Sequence, residues 1–322
     1  MKKSKDVIVE VPTATVRVIA NVPTISHRGG LPFLHIEAAM SLANQCTELG
    51  KKYDVNASLE PTNFQKNTYK ACVLGTLFTT VAFLEAAINE VFLDAVESIP
   101  ATDRKERDAR ISVKDADINC YGVVESLSSE TVKRMAQIWL RQRKIKSCTY
   151  FSHFAGFLDR QKQDGYSNVE RWSILDKYQA ALFLNKKSPF GKGLKRQAAY
   201  TLIGLRNYLT HPKPETVILA GPEGTRLGPE KEESADLEQR VTDLIESDAL
   251  RPAAGYAHEK LFLASPFPSN CLSSGLARMG IKSALEFNNA FSSWMGTKNM
   301  TSKYPQLQQQ MSILADTHAA VG

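Results

Sequence analysis

Three side chains near position 210 have the types and spacing to move a proton beside a phosphate. They fall in the run Leu205-Arg206-Asn207-Tyr208-Leu209-Thr210-His211-Pro212. Cleavage of RNA by its own 2′-hydroxyl needs proton transfer at oxygen and a counter-charge for the phosphorane, and side chains can supply both. Arginine brings a planar fork of donors that matches a phosphate, and histidine as a residue type titrates near neutrality. In such a reaction Arg206 would hold the scissile phosphate, His211 would move the proton, and Asn207 would orient one of them.

The spacing sets a condition on that chemistry. Positions 206 and 211 are five apart, so on a regular helix their side chains diverge by about 140°, whereas 207 and 211 stack one turn apart. Pro212 disfavours the α conformation at His211, which would let the last turn open and swing the ring toward Arg206. A plainer reading of the same residues is structural. Basic side chains in a last helical turn sit well at the negative end of the dipole, and a following proline ends the helix.

Helices must position these residues, and the apolar spacing supplies them. A helix from about Leu194 to Leu209 buries Ala198, Leu202, Ile203 and Leu209 and stops before Pro212. Ahead of it, Val169 to Leu184 places Trp172, Leu175, Tyr178, Ala181 and Leu182 on one face. A long helix begins at Thr62 or Asn63, either of which can cap it, and runs to about Ser98. Its wide apolar face is Leu74, Leu77, Phe78, Val81, Leu84, Ala87, Ile88 and Phe92, with Gly75 as a weak point. Glu85 and Asn89 share a face beside that stripe.

The run from Arg206 to His211 resembles the R-x4-6-H signature of HEPN domains, including the polar residue after the arginine, here Asn207. Phe83-Leu-Glu-Ala-Ala-Ile-Asn-Glu is similar to the corresponding family helix, and so is the region from Pro268-Ser-Asn-Cys-Leu-Ser to Phe287. The resemblance covers roughly half of the chain. It implies a short all-α bundle, ribonuclease activity in a toxin or antiviral system, and a homodimer that pairs two motifs across one cleft. It also implies that the Glu85 helix lines that cleft, so that Glu85 would hold Arg206 or His211; the alternative is an exposed acid on an ordinary helix.

The remaining segments carry less. Val7 to Val11 and Thr15 to Ala20 are β-branched runs separated by Pro12 and Thr13, as in a short hairpin. Leu34, Ala38, Leu42 and Cys46 recur every four positions in a first helix from about Leu34 to Lys52. Residues 101 to 117 are dense in charge and suit a solvated loop or exposed helix. A helix from about Ser129 to Ile145 carries Arg134, Arg141, Arg143 and Lys144, followed by Tyr150, Phe151 and Phe154. Arg141, Arg143 and Lys144 could grip RNA phosphates while the aromatics stack on bases, or the segment is a solvated face over a small aromatic core. Val217 to Ala220 suits a short strand, Gly221 to Lys231 an exposed connection, and 232 to 249 a polar, acidic excursion of helical character. A last core helix lies within Asn270 to Trp294 and buries Leu276, Ile281, Leu285 and Phe291.

Composition fits this picture and excludes several others. Of 322 residues, 43% are hydrophobic and 23% charged, the balance of a globular chain with a sizeable core. The net charge of +6 is compatible with RNA as a partner without requiring it. Five scattered cysteines lack any CxxC or Cys/His spacing, as reduced thiols in a cytoplasmic protein would. No signal peptide is evident, and Thr79, Thr80, Glu85, Asn89 and Glu90 interrupt the longest apolar stretch, so no membrane span is expected. His27, His35, His153, His258 and His318 show no ligand pairing, so neither a metal nor a cofactor is expected. Gly191-Lys-Gly lacks the upstream half of a P-loop, leaving Lys192 or Lys195 at most a nonspecific phosphate contact, and Ser274-Gly275 lacks a hydrolase elbow.

The expected protein is therefore mainly all-α, a HEPN-like bundle built from residues 30–99, 169–213 and 255–297. An N-terminal extension covers 1–29, an insertion 100–168, an exposed connection 214–254 and a tail 298–322. The expected activity is metal-independent endoribonuclease, acting as a homodimer on RNA, with an antitoxin or regulatory partner implied by the resemblance. The alternative is a non-catalytic module of the same fold that binds a nucleotide, RNA or a partner protein.

Overall fold

Local signals place the helix starts where side chains can cap them. The computed structural model describes residues 31–54, 61–99, 122–140, 169, 172–190, 193–211, 218–219, 226–227, 232–247, 267–268 and 271–297. Seven α-helices lie among them: α1 (Leu31–Asp54), α2 (Asn63–Glu97), α3 (Ser129–Trp139), α4 (Ile174–Leu184), α5 (Leu194–Thr210), α6 (Glu232–Ser247) and α7 (Ser274–Met295). Thr62 opens α2 with a full capping box, its hydroxyl receiving the Gln65 N–H while the Gln65 side chain receives the Thr62 N–H. Ser128, Ser173 and Ser273 cap α3, α4 and α7 in the simpler way. Gly296, at φ 76°, closes α7 in the left-handed conformation.

The fold is mainly α-helical, and α2 is its axis. Helices α1, α3, α4, α5 and α7 all pack on α2, and α5 also packs on α7 and on α6. By length and composition alone α2 could cross a membrane, but 56% of its most apolar window is buried inside this fold, where it serves as the central core helix. Gly75 has a positive role there: a Cβ at that position would come within 2.9 Å of Leu42 Cδ1, so glycine lets α1 lie close against α2.

Several expectations shift once the packing is visible. In α1 the buried face is Ile36, Ala39, Met40, Ala43 and Cys46, while Leu34 is 58% exposed and Ala38 is also exposed. Both stripes have helical spacing, and the direction of approach of α2 and α7 selects between them. Phe78, expected in the core, is exposed, whereas Thr76 and Thr80 are buried. The Thr76 hydroxyl donates to the Cys72 carbonyl one turn back at 2.8 Å, which makes its burial tolerable.

Residues 122–140, within the expected insertion, are built into the common core. Val123, Val124, Val132, Met135, Ala136 and Ile138 are buried with α2 and α4, and Trp139 stacks on Phe92 at 5.5 Å. The acidic segment from 232 is likewise no excursion, because Leu237 and Val241 of α6 join the core against α5. The expected strand near 217 is a two-residue ladder, Ile218–Leu219 pairing antiparallel with Arg226–Leu227, so part of the expected connection takes part in it. The N-terminal hairpin, the charged stretch 101–117, and Arg141, Arg143, Lys144 and the aromatics after them lie outside the described residues.

Candidate functional site

Three helices bring one carboxylate and two cations together. Helix α2 supplies Glu85 and, one turn on, Asn89; α4 supplies Lys177; α5 supplies Arg206. Lys177 Nζ lies 3.4 Å from Glu85 Oε1 and donates to Asn89 Oδ1 at 3.0 Å. Arg206 Nη2 lies 4.0 Å from Glu85 Oε2.

Lys177 is inside because of where α4 starts. The Ser173 cap fixes the first turn, and the face that then meets α2 and α7 contains Ile174, Lys177, Tyr178, Ala181 and Leu182, all buried. The Lys177 side chain is 1% exposed. An ammonium so placed is tolerable only with a charge partner and hydrogen-bond acceptors, and Glu85 and Asn89 provide them. Tyr178 locks the register: its hydroxyl donates to the Leu84 carbonyl at 2.9 Å, and its ring meets Phe287 and Phe291 edge-on at 5.0 and 4.6 Å. Burial pushes the Tyr178 hydroxyl well above its ordinary pKa, so it remains a donor. Beside them, burial raises the Asp176 carboxyl above its usual range, with the hydrogen bond from Ser173 opposing the shift.

Arg206 stands in the last turn of α5, with Leu205 buried beside it and Tyr208 packed on Phe267 at 5.4 Å. Its side chain is 29% exposed, and no described residue accepts a hydrogen bond from its guanidinium. Thr210 donates its hydroxyl back to the Arg206 carbonyl one turn earlier at 2.7 Å. The His211 N–H still donates to the Asn207 carbonyl at 2.9 Å, but φ −126° and ψ 64° take His211 out of the helical region. Its Cβ is thereby rotated by about 60° around N–Cα relative to a helical residue. His211 leaves helical geometry before Pro212, while the hydrogen bond of its N–H keeps the last turn closed. Both Asn207 and His211 are exposed.

The structure places Arg206 beside Glu85 and Lys177 between Glu85 and Asn89. Within one chain no hydrogen bond joins the side chain of Asn207 or His211 to that cluster. Lys177 was not a candidate from sequence. The signal was available: a lysine occupies a position of α4 where three- and four-residue spacing from Ile174 and Ala181 calls for an apolar residue.

Among the described residues no three His, Cys, Asp or Glu side chains come together to hold a metal ion. A separate cavity of about 480 Å³ lies between α5, α6 and α7 and includes Lys195, Arg240 and Lys282 in its wall. Asp243 and Glu286 line it too, so acids there offset much of the basic charge. Comparison with protein-family models, curated proteins and solved structures finds no match.

Proposed function

We propose that this protein is an endoribonuclease of the HEPN type that cleaves RNA without a divalent metal. The 2′-hydroxyl attacks the adjacent phosphorus, the bond to the 5′-oxygen breaks, and the products carry a 2′,3′-cyclic phosphate and a 5′-hydroxyl. Arg206 binds the phosphate and stabilises the charge that grows on it. His211 moves the proton to the leaving oxygen or from the nucleophile, and Asn207 orients the ring or the phosphate. Two copies of the chain complete one cleft by pairing their α5 ends, and a toxin or phage-defence role with an antitoxin or regulatory partner follows from the family resemblance alone.

The observation that supports this reading is the state of Arg206. It lies next to the carboxylate expected to hold it, yet no described residue accepts its hydrogen bonds, so its fork is available to a phosphate. The exposed His211, outside helical geometry five residues on, is accessible to the same substrate.

A second reading, a binding module without catalysis, draws on one observation: no hydrogen bond brings His211 to the Arg206 cluster within a single chain. The two readings separate in one experiment. Purified protein is incubated with labelled RNA in EDTA beside Arg206→Ala and His211→Ala variants of matched folding and oligomeric state. The nuclease reading expects cyclic-phosphate ends from the wild type, and a loss on the order of 10²-fold or more in each variant. RNA bound intact by all three proteins would favour the module instead.

A further inference from the structure

We infer that Lys177 is a positioning residue that keeps Arg206 available to an anion, so that Glu85, Lys177 and Arg206 form a phosphodiester site with one surplus positive charge. The inference rests on the reading that Arg206 meets an RNA phosphate. One carboxylate lies between two cations that are held very differently. Lys177 is enclosed, with Glu85 at 3.4 Å and Asn89 at 3.0 Å, and cannot leave. Arg206 is partly exposed and stands 4.0 Å from the other carboxylate oxygen, beyond hydrogen-bonding distance.

The consequence is that Arg206 can change partners without first breaking a closed ion pair. If Arg206 were the only cation beside Glu85, the carboxylate and guanidinium would close into a two-point pair, the geometry each favours. Moving Arg206 onto a phosphate would then first have to break that closed pair, leaving Glu85, whose side chain is 42% exposed, to water alone. With Lys177 fixed beneath it, Glu85 stays compensated wherever Arg206 goes. The carboxylate orients the guanidinium loosely, and the lysine prevents that orientation from becoming capture.

The test reads Arg206 itself and needs no enzymatic activity. Full-length wild type, Lys177→Met, Glu85→Gln and the double variant are treated with phenylglyoxal, and modification of Arg206 is followed by peptide mass spectrometry. Methionine replaces the buried stem without the charge. Lys177→Met should slow Arg206 modification by about 5-fold as Glu85 closes on it, and Glu85→Gln should restore it in the double variant. Glu85→Gln alone should leave Arg206 at least as reactive as in the wild type. A cleavage-resistant RNA oligonucleotide should protect wild-type Arg206 at lower concentration than inorganic phosphate does.

Unchanged reactivity in a folded Lys177→Met protein would overturn the inference, as would slowing that persists in the double variant. Should Lys177→Met fail to fold, Glu85→Gln carries the test: reduced Arg206 reactivity in that variant overturns the inference. Protection by neither RNA nor phosphate overturns the anion assignment. Absence of RNA cleavage would count against the nuclease reading only, because none of these readouts depends on turnover.

Discussion

The Tyr178 hydroxyl and the Leu84 carbonyl meet at 2.9 Å, one residue on each side from the Lys177–Glu85 pair. That bond joins α4 to α2 where the buried charge has to be placed. Tyr178→Phe should therefore cost about 1 kcal/mol of stability, the usual net value of such a bond. Urea unfolding should show a lower midpoint at an unchanged slope; no shift would mean that packing on Phe287 and Phe291 sets the register by itself.

Gly122 occupies a position closed to other residues. Its φ is +69°, and a Cβ there would fall 2.3 Å from Asp94 Oδ2, the oxygen that accepts the Val123 N–H. Gly122→Ala should lose roughly 2–3 kcal/mol through combined backbone strain and displacement of Asp94. Thermal unfolding of the variant checks this, and a melting temperature within a degree of wild type would refute it.

At the start of α2, Thr62→Ala removes half of the capping box and should cost about 1 kcal/mol. Thr62→Ser keeps the oxygen and should retain most of that stability. The pair is compared by chemical denaturation, where equal losses in both would argue that the methyl group, not the cap, matters.

Asp176 gives a pH dependence with a definite sign. Burial raises its carboxyl above the ordinary value of 3.8, so the folded protein holds this proton more tightly than the unfolded chain. Its contribution falls as pH rises from about 3.8 through the folded-state value, and stays lower above that window. Asp176→Asn should remove this fall, raising stability at pH 7 relative to pH 4 when compared with wild type. Unfolding at the two pH values decides it, and an unchanged difference between them would remove Asp176 from the account.

Arg206→Lys keeps the charge and discards the fork. If Arg206 binds a phosphate as proposed, lysine should recover little of the cleavage activity, leaving it on the order of 10²-fold down, while RNA affinity falls less. Activity near wild type would show that a point charge suffices.

Helix limits and caps were written locally. Thr62 and Pro212 mark a helix start and a helix end close to where their chemistry predicts, because capping and proline geometry act over one turn, whereas α4 starts at Ile174 behind the Ser173 cap and not at Val169. Core positions of α7 were legible as well, since Leu276, Ile281, Leu285 and Phe291 are all buried. In the site, Arg206 and Glu85 were singled out from the sequence, and they lie 4.0 Å apart.

What the sequence could not decide was direction. The apolar stripe with Leu34 and Ala38 and the stripe with Ile36, Ala39 and Met40 both fit one side of α1, and only the placement of α2 and α7 chose the second. Gly75 read as a weak point until Leu42 was seen against it, and α6 read as a polar excursion until Leu237 and Val241 met α5. Lys177 is the clearest case. Alone on α4 a lysine signals an exposed face, and it becomes a buried cation only when Glu85 and Asn89, 92 and 88 residues earlier, are brought to its ammonium. Periodicity reports that a face will be covered; the identity of the charge that meets it is a property of packing between segments distant in the chain.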